Sequence, residues 1–337
     1  MGGGSKMNQV AKFIRPDSWD EYRQAWQRAE DLELLTRHPL HLDMELSGHC
    51  DLKCSMCWQS GKIDAKLGLM KDDLFKKVID HGVGQGLVAV KLQSRGESLL
   101  HPRIAELARY AKNAGIMDLQ LTTNGLLLAK GDRMEQLLAS GLDKLIFSID
   151  KGHDESAAQV YGERMPDVRK IAAEAIKFRD RLGQDTPKIR IQTFAEPGQS
   201  QEDRLTEVQA EFPNADEHMI HLLWNSNPLE DSVDKLLTEF EQFPCKYLWT
   251  RLAVFWNGDV TLCCRDYNCE MKLGNANEMN IEDIWLGERM SYLRRTHRQN
   301  RRADIPLCHH CDQSCRPVKR GMEGMAKKDT YLHVAGS

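Results

Sequence analysis

Leu46-Ser47-Gly48-His49-Cys50-Asp51-Leu52-Lys53-Cys54-Ser55-Met56-Cys57 is the stretch on which the reading of this chain turns. Its three cysteines are spaced Cys-x3-Cys-x2-Cys and follow directly on an apolar-alternating run, 41–46, that reads as a β-strand. A loop leaving a strand can wrap three thiolates around one face of an iron–sulfur cube. A cube has four corners, which cysteine thiolates fill in ferredoxins, so three leave one iron for another ligand. Structural zinc is the competing reading, but it usually takes four protein ligands in paired knuckles. Here there is one triplet, and His49, adjacent to Cys50, is badly placed to close the same tetrahedron. An odd triplet in a chain that reads as leaderless disfavours a disulfide, and inert thiols remain the bland alternative.

The 337 residues are enough for one large α/β domain and a smaller one. With 41% apolar residues, 28% charged residues and a net charge of −4, the composition is that of an ordinary globular chain without basic excess, which argues against a nucleic-acid module. No run of 18 apolar residues is present, so no membrane span is expected. Residues 1–6 read as a scar of cloning, with Met7 a plausible native start. Ten cysteines point to a reducing compartment and metal chemistry, hence to a cytoplasmic location.

Residues 7–40 read as an N-terminal helical segment, with helical character over 19–36 ending before His38-Pro39. Strands are expected at 41–46, 87–94, 118–125, 144–150, 188–194 and 218–224, with helices at 102–113, 134–140 and 165–182 between them. Strands alternating with helices imply parallel pairing through right-handed crossovers. The fold class is therefore α/β, a partial (β/α)6 TIM-type barrel over 41–240. Sites on such folds lie at the carboxyl ends of the strands, where the cysteine loop begins.

The cysteine triplet resembles that of the radical S-adenosylmethionine (SAM) superfamily, in which SAM takes the fourth iron corner through its amino and carboxylate groups. Further motifs carry the resemblance. Arg95-Gly96-Glu97-Ser98 resembles the family's Gly-Gly-Glu-Pro, with Arg95 and Ser98 departing from it; Thr122-Thr123-Asn124-Gly125 resembles its Thr-Asn-Gly turn, and Ser148-Ile149-Asp150 its Ser-Leu/Ile-Asp strand end. The resemblance implies that Cys50, Cys54 and Cys57 hold a 4Fe–4S cluster and that Gly96, Glu97, Thr122, Asn124 and Ser148 bind SAM. Met56 and Trp58 flank the third cysteine, where an aromatic residue often packs near the adenine. Arg190 is a candidate for the SAM carboxylate or the substrate. A flavodoxin- or ferredoxin-type electron donor is implied as well.

A second cysteine set follows residue 241. Asn257-Gly258 between alternating apolar runs signals a β-hairpin. Cys245 and Cys263 bracket it, and Cys308-His309-His310-Cys311 follows a basic run, Arg294, Arg295, Arg298, Arg301 and Arg302. The order and spacing resemble the SPASM or shortened twitch appendage, as in twitch-type aminocyclitol dehydrogenases. The expected small C-terminal α+β domain, a β-hairpin plus helix, spans 241–320, with a tail over 321–337. The resemblance implies that Cys245, Cys263, Cys308 and Cys311 ligate one auxiliary 4Fe–4S cluster; a zinc ribbon is the alternative. Cys264, Cys269 and Cys315 remain over, as ligands of a second auxiliary cluster or as hydrogen-atom donors. The basic run reads as a solvated helix face. The resulting expectation is a radical SAM oxidoreductase acting on a small hydroxylated molecule of the aminocyclitol or sugar type. A peptide maturase or epimerase is the alternative.

Overall fold

Six parallel strands, β1 (His41–Met44), β2 (Ala89–Leu92), β3 (Asp118–Thr123), β4 (Lys144–Ser148), β5 (Lys188–Ala195) and β6 (Glu217–Leu222), pair in sequence order. They come from a computed structural model that describes residues 15–54, 57, 59, 64, 66–149, 165–195, 199–222, 240–309, 311, 315–317 and 331–335. Parallel neighbours need a crossover between them. After α1 (Trp19–Glu30), the crossovers are α2 (Asp72–Gln85), α3 (Ile104–Ala114), α4 (Arg133–Leu138), α5 (Met165–Arg181) and α6 (Gln201–Glu211). Two of these, α2 and α6, were not singled out from the sequence. The signal for α6 was present, because Ser200 caps it by accepting from the Asp203 N–H at 3.0 Å. For α2 no side chain caps the first turn.

The strands alternate. Leu42 and Met44, Val90 and Leu92, Leu119 and Leu121, Leu145 and Phe147, and Ile189 and Ile191 are buried. They share one continuous core with Phe75 and Val78 of α2, Leu107 and Ala111 of α3, and Ile171 and Ala175 of α5. Each of the Val, Leu, Ile, Met and Phe side chains contributes about 1.5–3 kcal/mol through burial. The intervening positions, His41, Asp43, Lys91, Gln120, Lys144 and Arg190, are polar and occupy the opposite, concave face.

Past β6 come β7 (Phe240–Gln242), α7 (Tyr247–Thr250), β8 (Arg251–Val254), β9 (Asp259–Thr261) and β10 (Lys272–Asn275). Then follow α8 (Ile281–Leu286), α9 (Glu288–Arg298), α10 (Pro306–His309), β11 (Cys315–Pro317) and β12 (Tyr331–Ala335). The hairpin at Asn257-Gly258 forms as expected, with Val254 opposite Val260 and Gly258 at φ +89°, a conformation that glycine adopts without strain. Its placement was not legible in the sequence. Instead of standing apart, β8 lies parallel to β1 and extends the barrel sheet, while β12, from the expected tail, adds antiparallel to β6. The partial barrel thus has both open edges paired by the C-terminal segment. An open strand edge presents unpaired N–H and C=O groups, which these strands satisfy. Among the described residues no helix is long and apolar enough to cross a membrane.

Candidate active site

The cysteine loop is closed at its base. Ser47 and Leu69 form an antiparallel bridge, the Gly48 N–H donates to Gly68 O at 2.8 Å, and the Met70 N–H donates to Leu46 O at 2.9 Å. Inside it, the Cys57 N–H donates to Cys54 O at 2.9 Å. Cys50 is exposed and Cys54 and Cys57 are partly buried. The loop after β2 presses against this one. A Cβ on Gly96 would lie 2.3 Å from His49 O and 2.4 Å from Ser47 O, so glycine is required by close backbone approach. The Glu97 N–H donates to His49 O at 2.8 Å, and Gln59 Nε2 donates to the Gly48 and Arg95 carbonyls at 2.8 and 2.9 Å. Met56 and Trp58 lie outside the described residues.

Glu97 is buried at the junction. Its Oε1 accepts from the Leu99 N–H and the Thr123 hydroxyl, both at 2.8 Å, and its Oε2 accepts from the Asn124 N–H at 2.9 Å. An ionised carboxylate has about four acceptor positions, so these bonds leave room for one more donor. Burial pushes its pKa up to about 7 against the effect of the three bonds. Asn124 donates through Nδ2 to Asp51 Oδ1 at 2.8 Å, tying the Thr-Asn-Gly turn to the residue beside Cys50. The Thr122 hydroxyl is buried with no hydrogen-bond partner among the described residues. Ser148, at the end of β4, is partly buried.

Arg95 explains its own departure from the family pattern. Its guanidinium forms a bidentate pair with Glu45 at 2.6 and 2.7 Å, donates to Tyr267 O at 2.9 Å, and lies 3.7 Å over the Phe255 ring. Glu45 in turn follows β1, donates its N–H to Val254 O at 2.9 Å, and accepts from the Trp256 N–H at 3.3 Å. One buried ion pair therefore joins β1, the loop after β2 and the C-terminal hairpin.

The concave face is charged. Asp43 stands 3.0 Å from His41 Nε2 and 3.9 Å from an Arg251 amino group, and neither Asp43 Oδ2 nor Arg251 Nε, both buried, has a hydrogen-bond partner among the described residues. Lys91 lies beside Asp43 in register. Burial lowers its pKa, with the charge of Asp43 opposing. Arg190 is paired with Glu217 at 2.6 Å, and Lys144 reaches the same carboxylate at 2.6 Å. His221 is pushed down to about 4 by burial, then by the charges of Lys91 and Arg190.

The three leftover cysteines separate. Burial, then the charge of Asp43, pushes the Cys264 thiol up, with Arg251 and Lys91 opposing. Cys269, in a left-handed conformation at φ +58°, feels Asp266 and Asp259 of the hairpin. Cys315 is on β11, and its side chain lies outside the described residues.

Cys245, Cys263, Cys308 and Cys311 line one cavity of about 20 Å³ with Leu248, Leu262, Leu307 and His297. Among the described residues no three metal-ligating side chains close on a single point, so the four thiols ring the cavity instead of converging. Burial pushes the Cys308 thiol up to about 12 and Cys263 well above its ordinary value, and neighbouring thiols add to both shifts.

Two family models match the sequence: the radical SAM superfamily over residues 44–206 and an iron–sulfur cluster-binding domain, SPASM, over residues 245–312. The chain carries a radical SAM domain followed by a SPASM domain. A tungsten-containing aldehyde ferredoxin oxidoreductase cofactor-modifying protein of Pyrococcus furiosus is 25% identical over 298 residues, covering 75% of this chain and 83% of that protein. A probable GTP 3',8-cyclase of Methanococcus maripaludis is 35% identical over 107 residues, 32% of this chain and 35% of that protein. Among solved structures, BtrN in complex with AdoMet and 2-DOIA superposes with a TM-score of 0.57 at 19% identity, covering 84% of this chain and 95% of that one. Streptococcus suis SuiB bound to S-adenosylmethionine gives 0.61 at 18% identity, covering 90% of this chain and 80% of that one. At these identities the structures share the fold.

A radical SAM domain implies a 4Fe–4S cluster with SAM, and a SPASM domain implies auxiliary iron–sulfur clusters. The residues present fit both. The partnerless Thr122 hydroxyl and the spare acceptor position on Glu97 sit where the triplet loop meets the strand ends. Four thiols around one cavity, those of Cys263 and Cys308 buried and those of Cys245 and Cys311 partly buried, are costly to ionise alone, and a bound metal centre stabilises the thiolates.

The basic run is a solvated face only in part: Arg295, Arg298 and Arg301 are exposed, whereas Arg294 and Arg302 turn inward onto carbonyls. Arg294 is buried, donates to Leu248 O and Trp285 O at 2.8 Å, and stacks on Trp285. Arg298 donates to Leu32 O at 2.6 Å, and Arg302, also buried, donates to Cys308 O at 3.0 Å and to Cys311 O. Sequence reasoning missed these carbonyl braces, along with Asp43, Lys91, Arg251 and His297. A charged residue alternating within an apolar strand was a usable signal for Asp43 and Lys91; the helix residues Arg294 and His297 had none.

Proposed function

We propose that this protein is a radical SAM oxidoreductase that removes two electrons from a small hydroxylated molecule, of the aminocyclitol or sugar type, held on the concave face of the barrel. Cys50, Cys54 and Cys57 would hold the SAM-binding cluster, and Cys245, Cys263, Cys308 and Cys311 one auxiliary cluster. A cluster of the first kind, once reduced with SAM bound, supplies a 5′-deoxyadenosyl radical able to take hydrogen from an unactivated carbon. Glu97, Thr122, Asn124 and Ser148 orient SAM. Asp43, Lys91 and Arg251 face the substrate and supply charged groups that can orient its hydroxyls. The carrying observation is that Asp43, Lys91 and Arg251 lie on the adjoining strands β1, β2 and β8, with Cys264, chain neighbour of Cys263, within their electrostatic reach. That supports a substrate site bordered by the triplet loop, which leaves β1, and by the hairpin that leads to Cys263.

The same observation favours a second reading, epimerisation with Cys264 as hydrogen-atom donor. Reaction in deuterated solvent separates the two: a ketone or aldehyde product supports oxidation, and deuterium at the original carbon, lost in Cys264→Ala, supports epimerisation. The primary test is anaerobic. The reconstituted wild type is expected to release 5′-deoxyadenosine on reduction, and a Cys50→Ala, Cys54→Ala, Cys57→Ala variant to keep only its auxiliary iron and release none. Zinc in place of iron in the triplet would refute the proposal.

A further inference from the structure

His297 projects from α9 into the wall of the four-cysteine cavity and is 1% exposed. Its Nδ1 lies 3.1 Å from the backbone nitrogen of Cys245. That nitrogen is a donor, so Nδ1 carries the lone pair and the ring proton sits on Nε2. Nε2 is buried and has no hydrogen-bond partner among the described residues. A buried N–H without an acceptor destabilises a fold. A donor kept at the edge of a cavity ringed by four sulfurs has a natural acceptor there.

We infer that His297 Nε2–H donates a hydrogen bond to a sulfur of the auxiliary cluster and thereby raises the reduction potential of that cluster. The inference rests on the auxiliary-cluster reading of Cys245, Cys263, Cys308 and Cys311. Hydrogen bonds to the sulfurs stabilise the more negative, reduced cluster, and residues outside the ligand set tune potentials in this way. A raised potential suits a centre that accepts an electron from the substrate. His297 is therefore a positioning and tuning residue, with its other ring nitrogen fixing the backbone of a ligand at the same time.

The experiment uses full-length chain carrying Cys50→Ala, Cys54→Ala and Cys57→Ala, so that only auxiliary iron is present, reconstituted anaerobically with iron and sulfide. His297→Asn keeps an oxygen able to accept from the Cys245 N–H and removes the donor at the Nε2 position; His297→Gln extends an amide donor towards it. Midpoint potentials are read by redox titration followed by electron paramagnetic resonance. The expected result is unchanged iron and sulfide content, a lower potential in His297→Asn, and a potential nearer that of the parent in His297→Gln. An unchanged potential in His297→Asn with full iron would overturn the inference, and so would loss of iron from both variants, since His297 would then act only on the shape of the cavity. Failure of the parent, with His297 intact, to hold iron would instead refute the auxiliary-cluster reading.

Discussion

Glu97 shows how one residue can brace three segments at once. Its carboxylate holds the Thr-Asn-Gly turn and the turn at Leu99, while its N–H holds the cysteine loop. Its folded pKa, about 7, lies above the ordinary 4.5. Between those values the folded chain binds more protons than the unfolded one, so Glu97's contribution to stability falls as pH rises from about 4.5 to about 7 and is level above. The loss is on the order of 3 kcal/mol. Glu97→Gln should remove this slope. Melting temperatures of metal-free wild type and variant at pH 5 and pH 8 measure it, and an equal wild-type-minus-variant difference at both pH values would sink the raised pKa.

Between elements, the Arg95–Glu45 pair is the joint that aligns the triplet loop with the hairpin. Both side chains are almost completely buried, at 3% and 0% exposure. Removing one partner strands the other charge. Arg95→Met is expected to lose about 3–5 kcal/mol in denaturant unfolding. Arg95→Met with Glu45→Leu should recover much of that, because an apolar pair leaves no uncompensated charge. Equal losses in the single and double variants would show that the charge is not the cause. The pair was not legible locally: Arg95 read as a deviation from a glycine motif, and its partner is 50 residues away.

Across the whole molecule, the C-terminal segment completes the sheet as well as carrying cysteines. β8 covers the free edge of β1, and β12 that of β6. A chain ending at residue 240 loses both strands and exposes two edges that can pair with other copies. Sedimentation should find it associated or aggregated where the full chain is monodisperse; a stable monomer would refute the edge-covering role. The N-terminal segment is fastened to the same unit, with Trp285 Nε1 donating to Thr36 O at 2.9 Å and Lys246 3.0 Å from Glu30.

The sequence by itself determined the periodic and the local: six strands from apolar alternation, the hairpin from Asn-Gly, and the triplet loop from cysteine spacing. These depend on residues near one another in the chain, whose chemistry repeats with the period of the backbone. Tertiary structure alone decided which edge β8 pairs with, which leftover cysteine comes within electrostatic reach of Asp43, and where the ring proton of His297 resides. Each depends on partners distant in the chain, and burial, which removes water as the competing partner, gives those contacts their energy.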